Sequence, residues 1–312
     1  MVRPGATEAI LETERLSPRY AGIDLWEPDD LFEGLLEGQF SAVAAVRGAR
    51  PEIIRAALAT EERLRTAGRL IYAGAGTSAR LAVQDGAELM PTFGWPPDRI
   101  LLLIAGGHEA LLRSMEGAED QVEYAAQLVR DHRIGAADVL VAVAASGTTP
   151  FTLACLRQAK AAGALTIGIA NNQGTPLLSE AECPILLDTG PEPIAGSTRM
   201  KAGTSQRVAL LVLSSFVMIR LGHVYGGLMI DVQASNEKLA RRTEAILQQL
   251  TDRPPDEVRD ALARAKGSIK TAVLLLQGCE PAEAGRILAS TNGRLREALA
   301  ILDKRKEKRG VE

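Results

Sequence analysis

The chain has 312 residues, 46% of them hydrophobic and only 4% aromatic, with 36 Lys and Arg against 39 Asp and Glu for a formal net charge of −3. That length supplies apolar side chains for one large α/β domain and a smaller one, and the near-neutral balance argues against a partner such as nucleic acid or an anionic membrane. Cys155, Cys183 and Cys279 are odd in number, far apart and set in apolar segments, which points to buried free thiols in a reducing cytoplasm.

Residues 1–28 are Pro- and charge-rich with little periodicity, and read as an arm that orders against a partner. No charged segment followed by an apolar one opens the chain, so no secretory leader is expected. Helical patterns follow over 28–46 and 51–67, the second opening on a proline suited to a first helical turn. From Leu70 to Asp188 short apolar runs at 70–75, 100–105, 139–145, 165–170 and 184–187 alternate with helical spacing. That alternation predicts a doubly wound α/β fold: a five-stranded parallel sheet buried on both faces by flanking helices.

A long helix is expected over 204–224, apolar on all sides and therefore central to the fold or to a dimer interface. Its most apolar part, 208–221, is interrupted by Ser214, Ser215 and Arg220 and reads as too short to span a bilayer. A charged helix over 231–250 comes next, and Thr251-Asp-Arg-Pro-Pro255 marks a boundary. Helical segments at 256–265, 268–277 and 281–290 then form a small C-terminal three-helix module, and the basic run 304–309 reads as a solvated, partly disordered end. The expected division is thus 1–66, 67–250 and 251–312.

The first strand ends in Gly74-Ala75-Gly76-Thr77-Ser78, after which apolar residues recur at helical spacing. A strand that restarts as a helix through a glycine turn leaves free backbone N–H groups and hydroxyls, which favour a phosphate. The third glycine of a dinucleotide fingerprint is missing, because position 79 is Ala, so Thr77 and Ser78 point to a small phosphorylated ligand. A second loop of the same character, Ala144-Ala-Ser-Gly-Thr-Thr-Pro150, follows the third strand and offers Ser146, Gly147, Thr148 and Thr149. A third patch, 190–206, carries Ser197, Arg199 and Lys201 among small residues and suits carboxylate or phosphate recognition. Glu88 stands before Pro91 and from spacing alone reads as a solvated helix end. Glu116 and Glu119, three apart, would share a helix face, with at most one aimed at a ligand. His108 lies beside a glycine loop. No metal-ligand spacing and no Gly-x-Ser-x-Gly elbow is present, so neither a metal, another cofactor nor a serine-hydrolase triad is expected.

In order and spacing, GAGTSARL, DGAELMPT, AGGHEALLRSMEGAED, ASGTTP, GPEPIAGSTRMKAGTSQ and YGGLMIDVQASNEKL resemble the N-acetylmuramic acid 6-phosphate etherases, a family built on a sugar isomerase (SIS) domain. The resemblance runs from about Thr13 to the C-terminal NGRLREAL. It implies a cytoplasmic homodimer with sites near the subunit interface, acting on a sugar phosphate in peptidoglycan recycling. It also implies that Glu88 and Glu119 are the two catalytic glutamates and that Ser78, Ser146 and Thr149 hold the 6-phosphate. The chain departs from the family pattern at Ala79, Thr148, Leu89-Met90, Leu16-Ser17-Pro18 and Gly38-Gln39. With Glu119 as base and Glu88 as acid, Glu88 is expected to be the more desolvated of the two. Two alternatives share the architecture: a non-catalytic regulator of the glucokinase-regulator type, and an aldose–ketose isomerase.

Overall fold

Five apolar runs become one parallel sheet: β1 (Leu70–Gly74), β2 (Ile100–Ile104), β3 (Val139–Val143), β4 (Leu165–Ala170) and β5 (Cys183–Leu186), in the order β2-β1-β3-β4-β5. The structure is a computed structural model that describes residues 10–232 and 237–309, with side chains to residue 305. Helices α1 (Pro28–Gly48) and α2 (Arg50–Leu64) precede the sheet. Helices α3 (Gly76–Phe93), α4 (Glu109–Leu112), α5 (Val122–Asp131), α6 (Pro150–Ala161) and α7 (Pro176–Glu180) connect its strands, and α8 (Lys201–Leu221) follows it. Every residue of β1, β3 and β4 is buried, as continuous apolar runs require when helices cover both faces.

The expected doubly wound sheet is present, and its strand order has a consequence for ligands. The chain leaves β1 for β2 on one side and then crosses to β3 on the other, so the switch point falls between β1 and β3. Their last residues pair, Gly74 with Val143, and the two hydroxyl-rich turns therefore leave the same sheet edge side by side. Crevices at such edges are where open α/β sheets bind ligands. Gly74 is needed there for close approach, since a Cβ would lie 3.1 Å from the Val143 carbonyl and 3.2 Å from the Ala79 amide.

The sheet is held by helix packing and by a partly buried ion pair. Phe151, Cys155 and Leu156 of α6 have no exposed surface, and each such Leu or Phe contributes about 1.5–3 kcal/mol by leaving water. All three cysteines are free and buried; burial pushes the Cys155 thiol up to about 12. At the opposite end of the strands, Arg69 forks onto Asp138 through Nε (3.0 Å) and Nη2 (2.7 Å). Burial works against the Asp138 charge, but the Arg69 fork and the amides of Gly135 and Arg69 outweigh it and hold the carboxyl below its usual range.

The expected N-terminal arm does not wait for a partner, at least over its described part. Residues 12–25 form three short 3₁₀ turns, and Thr13 is fully buried. Its amide donates to Asn172 Oδ1 (3.3 Å), its hydroxyl accepts from Asn172 Nδ2 (3.1 Å), and its carbonyl accepts from the Gly196 amide (2.9 Å). Residues 1–9 of that arm lie outside the described residues.

The chain folds as two compact units, one containing the described residues to Gly86 with Ile100–Leu213, the other Ala87–Arg99 with Ser214 onward. In the second, the strands β6 (Val224–Tyr225) and β7 (Leu228–Met229) form a hairpin, and α9 (Glu237–Thr251), α10 (Pro255–Arg264), α11 (Ile269–Leu276), α12 (Pro281–Ser290) and α13 (Leu295–Arg309) follow. The expected start of the charged helix falls partly on residues 233–236, outside the described ones. Among the described residues beyond Thr251 there are four helices, not three. The tail read as a solvated end is the last part of α13, whose Leu295, Ala298 and Leu302 enter a core with Val258, Val273 and Ile287. The run of charges at its end hid the i, i+3, i+7 apolar seam. The Pro254-Pro255 break lies inside this unit, where Pro255 opens α10 and α10 packs on α9.

Helix α8 has 21 residues and contains an 18-residue stretch of mean hydropathy 1.4, enough by length and composition to cross a bilayer, although the interrupted segment 208–221 was expected to be too short. Over half of that stretch is buried inside the protein, the pattern of a core helix.

Candidate active site

Helix α3 begins directly after β1, with Gly76 at φ +54°. Its first N–H groups have no partners within the helix, and the Ala79 amide is the first to bond back, to Ala75 (3.2 Å). Gly76, Thr77 and Arg80 of α3 line a cavity of ≈ 440 Å³ together with Arg113, Ser114, Glu116 and Glu119 of the loop after β2. Ser78 is buried beneath the turn.

Glycines shape the loop after β2. Gly106 (φ +80°) and Gly107 (φ +66°) carry the chain out of the strand, and Gly117 (φ +67°) turns it into a 3₁₀ turn, Ala118–Asp120. Buried Ala118 pins that turn. The helix face expected to carry Glu116 and Glu119 does not exist, because the left-handed Gly117 between them breaks the spiral; both carboxylates line the cavity. Arg80 clamps the start of the loop, its Nε and Nη2 donating to the Ala110 carbonyl at 3.1 and 2.9 Å.

The second hydroxyl loop is preorganised. Ser146 Oγ accepts from the Thr148 amide (3.2 Å) and lies 3.3 Å from Thr149 Oγ1. Gly147 (φ +70°) packs so closely on Thr175 that no Cβ fits. Asn172 Nδ2 donates to the Ala145 carbonyl (2.8 Å), so the buried Asn172–Thr13 pair supports the turn from below. These residues leave the adjacent strand but do not line the cavity that holds Glu119.

The third patch is built differently from its sequence reading. Glu192, 1% exposed, accepts from the amides of Lys201 (2.8 Å) and Ala202 (2.9 Å) at the start of α8. Lys201 is turned inward, its Nζ donating to the Thr189 carbonyl (2.7 Å). Burial lowers the Lys201 pKa and raises that of Glu192. Of the two expected cations only Arg199 is exposed, and Ser197 is half-buried.

Glu88 stands roughly three turns beyond Gly76 on α3. It is exposed, as is Glu119, so the expected desolvation of Glu88 is not present in the single chain. It does not line the cavity. His108, also exposed, precedes α4 and is not among the lining residues either. The reading from sequence passed over Arg80 and Arg113. Arg80 could have been found from its place one turn after Gly76; nothing local marks Arg113.

Doubly wound sheets in this order occur in several protein classes, and family similarity narrows the class here to SIS-fold proteins. Residues 108–215 match the SIS domain family, and residues 52–160 match the N-terminal SIS domain of glucokinase regulatory protein. Full-length similarity is narrower. The chain is 49% identical to an N-acetylmuramic acid 6-phosphate etherase of Deinococcus radiodurans, over 92% of this chain and 94% of that protein. It is 43% identical to one of Rubrobacter xylanophilus, over 93% and 96%. The chain belongs to the N-acetylmuramic acid 6-phosphate etherase family.

Proposed function

We propose that the protein is a cytoplasmic carbon–oxygen lyase that removes the D-lactyl ether from N-acetylmuramic acid 6-phosphate, giving N-acetylglucosamine 6-phosphate and D-lactate in peptidoglycan recycling. The observation that carries this reading is the cavity that joins the free N–H groups and Thr77 of α3 to Glu119. A phosphate suits the helix start and a base suits the facing carboxylate. The regulator reading explains neither that carboxylate nor relatives named etherase over more than nine-tenths of the chain.

An ether is a poor leaving group, but the open-chain sugar has an aldehyde at C1 that acidifies the C2 proton. Glu119 takes that proton, the C3–O bond breaks, and an acid protonates the departing lactyl oxygen. Water then adds across the unsaturated aldehyde, its oxygen to C3 and a proton to C2. Each proton-transfer role is typically worth about 10²–10⁴-fold in rate. In this reading Ser78 shapes the α3 start, the Ser146-Gly147-Thr148-Thr149 turn approaches the phosphate from the neighbouring strand end, and the 190–206 loop, with Ser197, Arg199 and buried Lys201, supports the site without binding the phosphate.

The acid in this reading is Glu88, and we infer that a second copy of the chain supplies it. A partner is favoured by α1, which exposes Phe32, Leu36, Phe40 and Val43 along one face. Lactate release by the purified protein tests the activity. Co-expressed Glu88→Gln and Glu119→Gln chains test the sharing: each variant alone is inactive, and random pairing into two-fold dimers restores about a quarter of parental activity. No recovery, with mixed dimers demonstrated by differential tags, removes the shared site.

A further inference from the structure

The cavity contains two cations that phosphate binding and proton transfer leave without a task. Arg113 directly follows α4, and its side chain is 72% exposed, with Nη2 donating to Glu109 Oε2 at 2.7 Å. That partner is itself 62% exposed and one turn away, so the pair contributes little and is easily exchanged for a better anion. Arg80 is held differently. Two of its donors go to the neutral Ala110 carbonyl, so these bonds leave its charge uncompensated while it fixes α4, the helix just before Arg113. Along the loop, Arg113 lies six positions before Glu119, and both line the same space.

The lining thus offers an N–H-rich helix start, a base and two guanidiniums. A substrate with a single anion would use only one of these positive features. The substrate of the proposed reaction has two, a 6-phosphate and the carboxylate of the group that leaves. We propose that Arg113 binds the carboxylate of the ether substituent, with Arg80 as its positioning residue, and so makes the site select an acidic leaving group over a neutral one. The planar fork of a guanidinium matches a carboxylate, and holding the leaving group by its carboxylate aligns the C3–O bond beside the base. This assignment rests on the ether-cleaving reading of the cavity.

The test compares N-acetylmuramic acid 6-phosphate with its lactamide analogue, in which the carboxylate becomes a neutral amide, on the parental protein and on Arg113→Gln. The parental protein prefers the acid by about 10- to 100-fold in kcat/KM, the range expected for one hydrogen-bonded charge. Arg113→Gln loses most of that preference, through the acid substrate alone, and binds N-acetylglucosamine 6-phosphate, which lacks the lactyl group, as the parent does. Arg80→Lys raises KM for the acid more than for the amide. If Arg113→Gln loses affinity for N-acetylglucosamine 6-phosphate equally, the arginine serves the phosphate and the proposal is wrong. If it retains the full acid preference, the carboxylate is bound elsewhere, and the proposal is again wrong. Absence of lactate release from the parental protein on either substrate would instead overturn the ether-cleaving reading itself. Because Arg113 is so exposed, an unchanged melting temperature in Arg113→Gln separates recognition from folding.

Discussion

Two stretches of this chain look alike in sequence and do opposite things in the fold. Residues 74–80 and 196–204 both combine glycine, Ser and Thr with a basic residue at the start of a helix, GAGTSAR and GSTRMKAGT. At the first, the turn into α3 opens onto a cavity. At the second, Glu192 occupies the helix start and Lys201 is spent on the Thr189 carbonyl. The difference teaches that a hydroxyl-rich helix start is a ligand site only where the protein has not already filled it with its own anion. Glu192 precedes Lys201 by nine positions, too far for a cap to be read locally, and only the folded loop brings it back to the helix start.

The sharpest way to break this comparison is at the open site. Glu119→Gln is expected to lower the rate of lactate release by about 10²–10⁴-fold while leaving the melting temperature unchanged, because Glu119 is exposed. A folded variant with full activity would remove the base. The filled site should respond in the opposite sense. Glu192→Ala strands two buried amides, and urea unfolding is expected to show a loss of about 1–3 kcal/mol, with N-acetylglucosamine 6-phosphate affinity of the folded protein retained. Lys201→Met is expected to cost about 1 kcal/mol, since the unpaired Thr189 carbonyl is partly offset by relief of a buried charge. If that variant instead folds normally and loses the sugar phosphate, Lys201 belongs to the ligand.

The smallest effect lies away from both stretches and calibrates them. Burial opposes the Asp138 charge, yet Arg69 and two amides hold its carboxyl below the usual range. As pH falls, the unfolded chain therefore takes up a proton at this position before the folded chain does. The stabilisation is complete above the unfolded value and is lost as pH drops through the folded one. Asp138→Asn should be less stable at neutral pH and should flatten the acid limb of a stability-versus-pH curve; an unchanged limb would mean the Arg69 fork is not formed in solution.

Much of the fold was legible because period decides it. Runs such as Val139–Val143 are too short and too uniformly apolar for a surface helix, and glycine or proline punctuates each one, so strand and helix alternation could be read directly. Helix α13 was missed because its seam of Leu295, Ala298 and Leu302 is diluted by a charged tail. Of the candidate site, Thr77 and Glu119 were legible from glycine punctuation and resemblance, whereas Arg80 and Arg113 were not, since an arginine on a helix or loop is ordinary surface until something faces it.

The sequence by itself determined the parallel α/β sheet, the two hydroxyl turns and the family to which the chain belongs, because backbone periodicity and glycine placement are local properties. Only the tertiary structure decided which turn opens onto a cavity, that Glu192 and Lys201 bond to the protein's own backbone, and that Thr13 is built into the support of the Ser146 turn. Those outcomes depend on burial and on contacts between residues distant in the chain, and neither quantity is carried by any short stretch of sequence.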